Sequence, residues 1–202
     1  MTKTFTVTRH EIMYAGRVFT AVRDEVEFRK GVASIREVVE HGGGAVAVPV
    51  FPGGDVLLIR QFRYPVRREI LELPAGKLDR GEDPVECARR ELEEEAGWRA
   101  ASMEHLSSMM TTPGFCSEIL HLYLATGLTP CERNLEEGEE SIVPIRIPLR
   151  EALEMTARGD ISDGKTIAGL FLAAMRLGCV RIQSVVPEGI RPFDHSNDRV
   201  SP

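Results

Sequence analysis

The sequence predicts an α+β protein built as a mixed-sheet sandwich. Three observations lead to this prediction. Short alternating or apolar runs typical of strands fill most of the chain before Gly76 and return after Trp98. One strongly marked amphipathic helix separates these two groups of strands. Two further helical patterns follow the last strand, so the order is strands, helix, strands and then two helices.

The first 44 residues are predicted to form a small N-terminal β-strand subdomain. Strand patterns occur there at residues 5–7, 18–22, 26–28 and 32–39. The segment lacks helical periodicity and is too small to bury a core of its own. We therefore expect it to pack on the main domain or on a second subunit, with a simple meander in one monomer as the alternative.

The main domain is predicted to span residues 45–186. Its first two strands, residues 45–51 and 56–61, are joined by a Pro-Gly-Gly-Asp turn, and a short strand follows at 70–73. After the central helix, strands are expected at residues 103–110, 119–125 and 142–147. Helices follow at 148–158 and 164–177, the second capped by Ser162 and Asp163. Residues 187–202 lack apolar periodicity and are predicted to be a flexible C-terminal tail.

The central helix has clear start and stop signals. Asp83 is the predicted N-cap, Pro84 suits the first helical position, and Glu86 completes an Asp-x-x-Glu capping pattern. Gly97 is the predicted left-handed C-cap. These signals set the helix between Asp83 and Gly97.

This helix carries four glutamates within residues 91–95. At about 100° per residue, Glu91, Glu94 and Glu95 share one face. Like charges at this spacing repel by a few tenths of a kcal/mol each, and a divalent cation would offset that repulsion. Magnesium is the natural candidate because it takes oxygen ligands. The alternative is a solvated face with salt bridges such as Arg90 to Glu94.

Composition narrows the class of protein. The formal net charge of −6 argues against a general binder of nucleic acids or acidic membranes. No signal peptide opens the chain, and its best apolar run, residues 167–175, is too short to span a bilayer. The four cysteines show no Cys-x-x-Cys pairing, which is typical of free thiols in a reducing compartment. These features predict a cytoplasmic location.

The spacing of fixed residues around the helix resembles the Nudix box. Every fixed position of that motif is filled. In order, the chain has Gly76, five residues, Glu82, seven residues, Arg-Glu-Leu, one residue, Glu-Glu, one residue and Gly97. Only Trp98 departs mildly, since an aliphatic residue is commoner there. The chain is thus similar to the Nudix hydrolase superfamily, and the resemblance implies the Nudix fold, an α/β/α sandwich with a mixed sheet.

Motifs outside the box resemble the ADP-ribose pyrophosphatase subgroup. They are REVVEH at 36–41, RQFR at 60–63, ELPAG at 72–76, TPGF at 112–115, an acidic loop at 132–140 and DGKT at 163–166. Pro113 occupies the position of the subgroup's marker proline. The resemblance covers about residues 32–177 and implies Mg²⁺-dependent cleavage of ADP-ribose into AMP and ribose 5-phosphate. It also implies a homodimer that shares its N-terminal strands.

The resemblance gives roles to the residues of the box. Glu91, Glu94 and Glu95, with the Ala75 carbonyl, would hold two or three Mg²⁺ ions, with Mn²⁺ able to replace them. The ions would bridge the diphosphate and activate a water, so Glu94 and Glu95 are also predicted to be catalytic. Glu82 and Arg90 are predicted to be structural supports for these ligands.

The general base is predicted to come from the acidic loop. Glu140 aligns best with the base of related enzymes and Glu139 is next, although Gly138 stands where relatives often carry an acid. The alternative is that the box alone activates the water.

Four further residues are predicted to bind the substrate: Arg36, Arg63, Glu72 and Gly114. Guanidinium groups match phosphate oxygens, although each arginine could equally form a surface salt bridge. Lys165 lies at the start of the last helix, and the sequence leaves two roles open for it: support of the site or capping of the helix.

Two other functions stay open. Another nucleotide sugar such as GDP-mannose is the first, since relatives with similar motifs differ in base and sugar. A nucleotide-sugar sensor without hydrolysis is the second, although all box glutamates are present.

Overall fold

The computed structural model describes residues 5–28, 31–135 and 141–180. Within them the chain forms ten strands, a short 3₁₀ turn (Tyr64–Val66) and three α-helices. The strands are β1 (Phe5–Ala15), β2 (Phe19–Phe28), β3 (Val32–His41), β4 (Gly44–Pro49), β5 (Asp55–Arg63), β6 (Arg68–Glu72), β7 (Ala75–Lys77), β8 (Trp98–Met110), β9 (Ile119–Pro130) and β10 (Val143–Pro148). The helices are α1 (Pro84–Ala96), α2 (Leu149–Arg158) and α3 (Gly164–Arg176).

The first three strands form an antiparallel sheet of their own, in the order β1-β2-β3. The prediction of two short strands at 18–22 and 26–28 is wrong, because β2 runs unbroken from Phe19 to Phe28. The polar residues between them, Arg23, Asp24 and Glu25, stay in the ladder by pairing with both neighbouring strands. Among these described strands, only Val22 and Val26 are buried hydrophobic residues.

Two further sheets make up the main domain. One has four strands in the order β7-β4-β9-β8, and the other has three in the order β10-β5-β6. The predicted turn between the first two main-domain strands is present, with the Gly54 N–H donating to the Phe51 carbonyl at 2.9 Å. The two strands nevertheless belong to different sheets, and an isolated bridge joins Val50 and Val56. All six residues of β4 are buried, and β4 pairs with β7 on one edge and, in parallel, with β9 on the other.

Strand β4 separates two hydrophobic cores. Ala45 and Ala47 face the core that α1 covers, which also contains Leu92. Val46 and Val48 face the opposite core, which α2 and α3 cover. Because side chains alternate along a strand, one buried strand serves both layers. The arrangement is an α/β/α sandwich, so the predicted fold class is confirmed.

The predicted helix ends are confirmed at α1. The Asp83 side chain accepts a hydrogen bond from the Val85 N–H at 3.1 Å, and Gly97 closes the helix in the left-handed region at φ 74°. The next strand starts at Trp98 instead of the predicted residue 103, since the Gly97 turn leads directly into pairing with Pro130. Strand β7 was not predicted, because its three residues are too short to show a pattern.

The two C-terminal helices lie close to their predicted positions. Asp163 caps α3 by accepting from the Thr166 N–H at 3.0 Å. In the described part of the chain, no helix is long and apolar enough to cross a membrane. The predicted tail, residues 187–202, lies outside the described residues.

Candidate active site

A cavity of about 890 Å³ lies where the tip of the β1–β2 hairpin, β5, β7, α1 and the start of α3 meet. This volume falls in the range of small-molecule sites, about 300–1,000 Å³. The cavity brings together several predicted site residues from distant parts of the sequence: Arg63, Ala75, Glu91 and Glu95.

Two carboxylates of α1 form the acidic wall of this cavity. Glu91 is 8% exposed and Glu95 is 2% exposed. The Ala75 N–H donates to Glu95 Oε2 at 3.0 Å, which fixes the strand β7 against the helix. Gly76 follows directly, and a Cβ atom there would stand 1.8 Å from Glu91 Oε1. Only glycine therefore lets the Glu91 carboxylate occupy this position.

Arg90 holds three of the box carboxylates. Its Nε donates to Glu82 at 3.1 Å, and its Nη1 donates to Glu91 at 2.7 Å and to Glu94 at 3.0 Å. Glu82 also accepts from the Asp79 N–H at 2.9 Å, which ties the preceding loop to the helix. Glu82 and Arg90 thus restrain the acidic side chains, the geometry expected of structural supports.

The pKa values of three side chains near the acidic wall are shifted from their usual values. The hydrogen bond from Arg90 lowers the pKa of Glu82, and the same pair raises the pKa of Arg90. Burial raises the pKa of the Cys87 thiol to about 12, and the charges of Glu82 and Glu91 add to the shift. The first pair of shifts reflects a strong ion pair between Glu82 and Arg90, and the shift of Cys87 keeps its thiol protonated beside the carboxylates of α1.

The donors on the acidic wall fit a magnesium ion in chemical type. The carboxylates of Glu91 and Glu95 and the backbone carbonyl of Ala75 are oxygen ligands of the kind that Mg²⁺ takes. Among the described residues, no three carboxylate, imidazole or thiol groups already converge at metal-ligand spacing. Arg90 explains part of this, since it draws Glu94 and Glu91 to its own guanidinium.

Arg63 enters the cavity from the end of β5. Its Nε and Nη2 donate to the two carboxylate oxygens of Glu72, at 2.6 and 3.0 Å. Glu72 is only 1% exposed and also pairs with Lys165. The hydrogen bond with Glu72 raises the pKa of Arg63. Arg63 is thus a charged group with a fixed orientation on the cavity wall.

The other predicted site residues lie elsewhere. Arg36 stacks over the Phe28 ring at 5.1 Å, and among the described residues the cavity wall does not include it. Gly114 is exposed in the loop after β8, beside Thr112, which does line the cavity. Glu139 and Glu140 lie outside the described residues, so their role as general base stays a prediction.

Sequence reasoning missed several residues that line the cavity. Arg17 and Val18 lie at the tip of the β1–β2 hairpin, and nothing in the sequence pattern marks them. His41 and Glu118 lie 3.4 Å apart at another side of the cavity. Glu118 had a detectable signal, since it is the carboxylate that ends the loop containing the Pro113 motif.

The family of the chain follows from its fold, its acidic helix and a comparison with known families. The family model described as the NUDIX domain matches residues 41–170. The chain therefore belongs to the NUDIX family, whose hydrolases generally use divalent metals such as Mg²⁺.

The chain is also similar to particular known proteins. The chain is 37% identical over 162 residues to the ADP-ribose pyrophosphatase of Bacillus subtilis strain 168, covering 80% of this chain and 87% of the relative. It is 39% identical over 145 residues to the GDP-mannose pyrophosphatase of Yersinia enterocolitica, covering 67% and 75%. A crystal structure of an ADP compounds hydrolase matches with a TM-score of 0.77 at 25% identity, covering 88% of this chain and 96% of that one.

Proposed function

We propose that the chain is a nucleoside-diphosphate-sugar pyrophosphatase that hydrolyses ADP-ribose to AMP and ribose 5-phosphate in a Mg²⁺-dependent reaction. One observation carries the proposal: the buried carboxylates of Glu91 and Glu95 share one cavity with the guanidinium of Arg63. An acidic wall holds cations, and a nearby arginine binds phosphate oxygens, so a diphosphate fits between them. The ADP-ribose pyrophosphatase of B. subtilis supports the choice of substrate.

Different residues of the chain are proposed to have different roles in hydrolysis. Glu91, Glu94, Glu95 and the Ala75 carbonyl hold the metal, proposed as two or three Mg²⁺ ions with Mn²⁺ able to replace them. A bound metal would supply charge neutralisation for the diphosphate and would make a water more acidic. Arg63 binds the diphosphate and limits its rotation. Arg90 and Glu82 restrain the carboxylates.

The reaction adds one water across the phosphoanhydride bond. The water oxygen bonds to one phosphorus, the bridging oxygen leaves with the other, and the water proton goes to a base. Glu140, or Glu139 next to it, is the proposed acceptor of that proton. Gly114 and its loop are proposed to contact the sugar end of the substrate.

Steady-state turnover of ADP-ribose against GDP-mannose, with and without Mg²⁺, tests this function. We expect ADP-ribose to give AMP and ribose 5-phosphate in equal amounts, with kcat/KM at least about tenfold above that for GDP-mannose. Chelation of the metal should abolish turnover.

Other outcomes of the same assay would replace the proposal. A preference for GDP-mannose would favour the second candidate, which the Yersinia relative supports. Binding of ADP-ribose without turnover, in the presence of Mg²⁺, would favour a sensor.

We further propose that the chain acts as a homodimer through its N-terminal sheet. One face of this sheet carries exposed apolar side chains, among them Phe5 (47% exposed), Ile12 (60%) and Val32 (60%). A second copy of this chain would cover that face, since monomeric proteins rarely expose large apolar patches. Arg36 lies on the same face beside Phe28, and we propose that it completes the cavity of the second copy.

Light scattering after gel filtration tests the dimer. We expect a mass of two chains for the wild type, and a shift toward monomer when Ile12 and Val32 are both replaced by Asp. A monomeric wild type at micromolar concentration would contradict the proposal.

The proposed location is the cytoplasm, in keeping with four free cysteines.

A further inference from the structure

The carboxylate of Glu72 is a buried charge held by two cations. Glu72 lies at the end of β6 with 1% exposure. Arg63 grips both of its oxygens in a fork, and the Lys165 ammonium binds Oε2. A buried carboxylate is stable only when opposite charges and hydrogen bonds replace its water. Arg63 and Lys165 therefore both stabilise the Glu72 carboxylate in this place.

Lys165 is itself fixed by its surroundings. Its side chain is 13% exposed, and its Nζ donates to Asp163 Oδ2 at 3.0 Å. The same Asp163 oxygen accepts from the Thr166 hydroxyl at 2.6 Å, and the Thr166 hydroxyl oxygen accepts from the Leu73 N–H at 2.9 Å. Leu73 follows Glu72 in the chain, so these contacts form a closed ring between β6 and the start of α3.

The ring determines the orientation of Arg63. The fork to Glu72 uses Nε and Nη2, which fixes the plane of the guanidinium. The Arg63 side chain is 39% exposed and lines the cavity with Glu91 and Glu95. Movement of the Glu72 carboxylate would therefore turn the group that faces the substrate.

We propose that Lys165 is a positioning residue, which holds Glu72 so that Glu72 aims Arg63 at the diphosphate. Lys165 also lines the cavity, and in this proposal it acts through its contact with Glu72 and not through a contact of its own with the substrate. This inference rests on the proposed function, since the diphosphate is the ligand assigned to Arg63. The proposal gives the DGKT motif a physical role: Lys165 holds Glu72, while Asp163 and Thr166 connect Lys165 to the backbone of Leu73.

A double-mutant cycle with ADP-ribose tests the proposal. Lys165→Met removes the charge at similar length, and we expect KM to rise about tenfold with kcat changed by less than about threefold. Lys165→Arg should recover most of this loss. In a Glu72→Gln background, Lys165→Met should change KM by less than about twofold, since there is no longer a charge to hold. Arg150→Met, on an exposed side chain of α2, is the control.

Either of two results would overturn the proposal. An unchanged KM in Lys165→Met would show that Glu72 and Arg63 keep their positions without it. An equal tenfold loss in the Glu72→Gln background would show that Lys165 contacts the substrate directly.

Hydrogen exchange of the Arg63 Nε–H group, followed by its NMR resonance, tests the role of Lys165 independently of the proposed function. We expect that proton, identified through its loss in Arg63→Lys, to exchange with water at least about tenfold faster in Lys165→Met than in the wild type. Equal exchange rates would contradict the positioning role. This measurement needs no substrate, so it decides the role of Lys165 even if the wild type fails to hydrolyse ADP-ribose.

Discussion

Glu95→Gln is expected to reduce kcat for ADP-ribose by roughly 10²–10³-fold, the size of effect seen when one fixed electrostatic partner is lost from a transition state. The substitution keeps the shape of the side chain, and the amide oxygen can still accept from the Ala75 N–H. It removes only the negative charge proposed to hold the metal. Binding of a non-hydrolysable ADP-ribose analogue should weaken by only about tenfold, the lower end of the effect of disturbing a metal site, as measured by calorimetry.

Glu93→Gln is the matched control for this change. Glu93 lies on the same helix, but its carboxylate pairs with Arg99 at 2.9 Å, away from the cavity. Its kcat should stay within about twofold of the wild type, since exposed ion pairs contribute little. Equal effects of the two substitutions, or full activity in Glu95→Gln, would contradict the assigned role of Glu95.

Gly76→Ala should reduce kcat by roughly 100-fold or more, the upper range for disturbing a metal site. The added methyl group would overlap Glu91 Oε1 at 1.8 Å, so the carboxylate must leave its place on the cavity wall. Overpacking of this kind costs about 1–3 kcal/mol in unfolding free energy. The variant should therefore fold but bind Mg²⁺ poorly, which metal titration can measure.

Gly53→Ala separates this steric effect from a general cost of replacing glycine. A Cβ atom at Gly53 meets nothing within 4 Å, and the residue lies in the turn before β5. Its activity should match that of the wild type. Retention of normal activity in Gly76→Ala would mean that the position of Glu91 does not matter for the reaction.

Local signals made α1 and its acidic face predictable. Asp83, Pro84 and Gly97 mark the helix ends through contacts within a few residues, so the sequence alone contains the necessary information. The face shared by Glu91 and Glu95 follows from helical periodicity in the same way. These elements account for the acidic half of the candidate site.

Contacts between distant residues could not be predicted in this way. Lys165 and Glu72 are 93 positions apart, and only the packing of α3 beside β6 brings them together. The assignment of β4 and β5 to different sheets likewise depends on pairing with β9 and β10, which local patterns do not specify. The position of Arg17 at the cavity likewise depends on how the β1–β2 hairpin packs against the main domain, which local sequence patterns do not specify.

A crystal structure with Mg²⁺ and a non-hydrolysable ADP-ribose analogue would test the acidic wall most directly. We expect metal density in contact with Glu91, Glu95 and the Ala75 carbonyl, and the diphosphate between that metal and the Arg63 guanidinium. If the analogue bound elsewhere and these carboxylates contacted neither metal nor phosphate, the proposal that the acidic wall holds the catalytic metal would be contradicted.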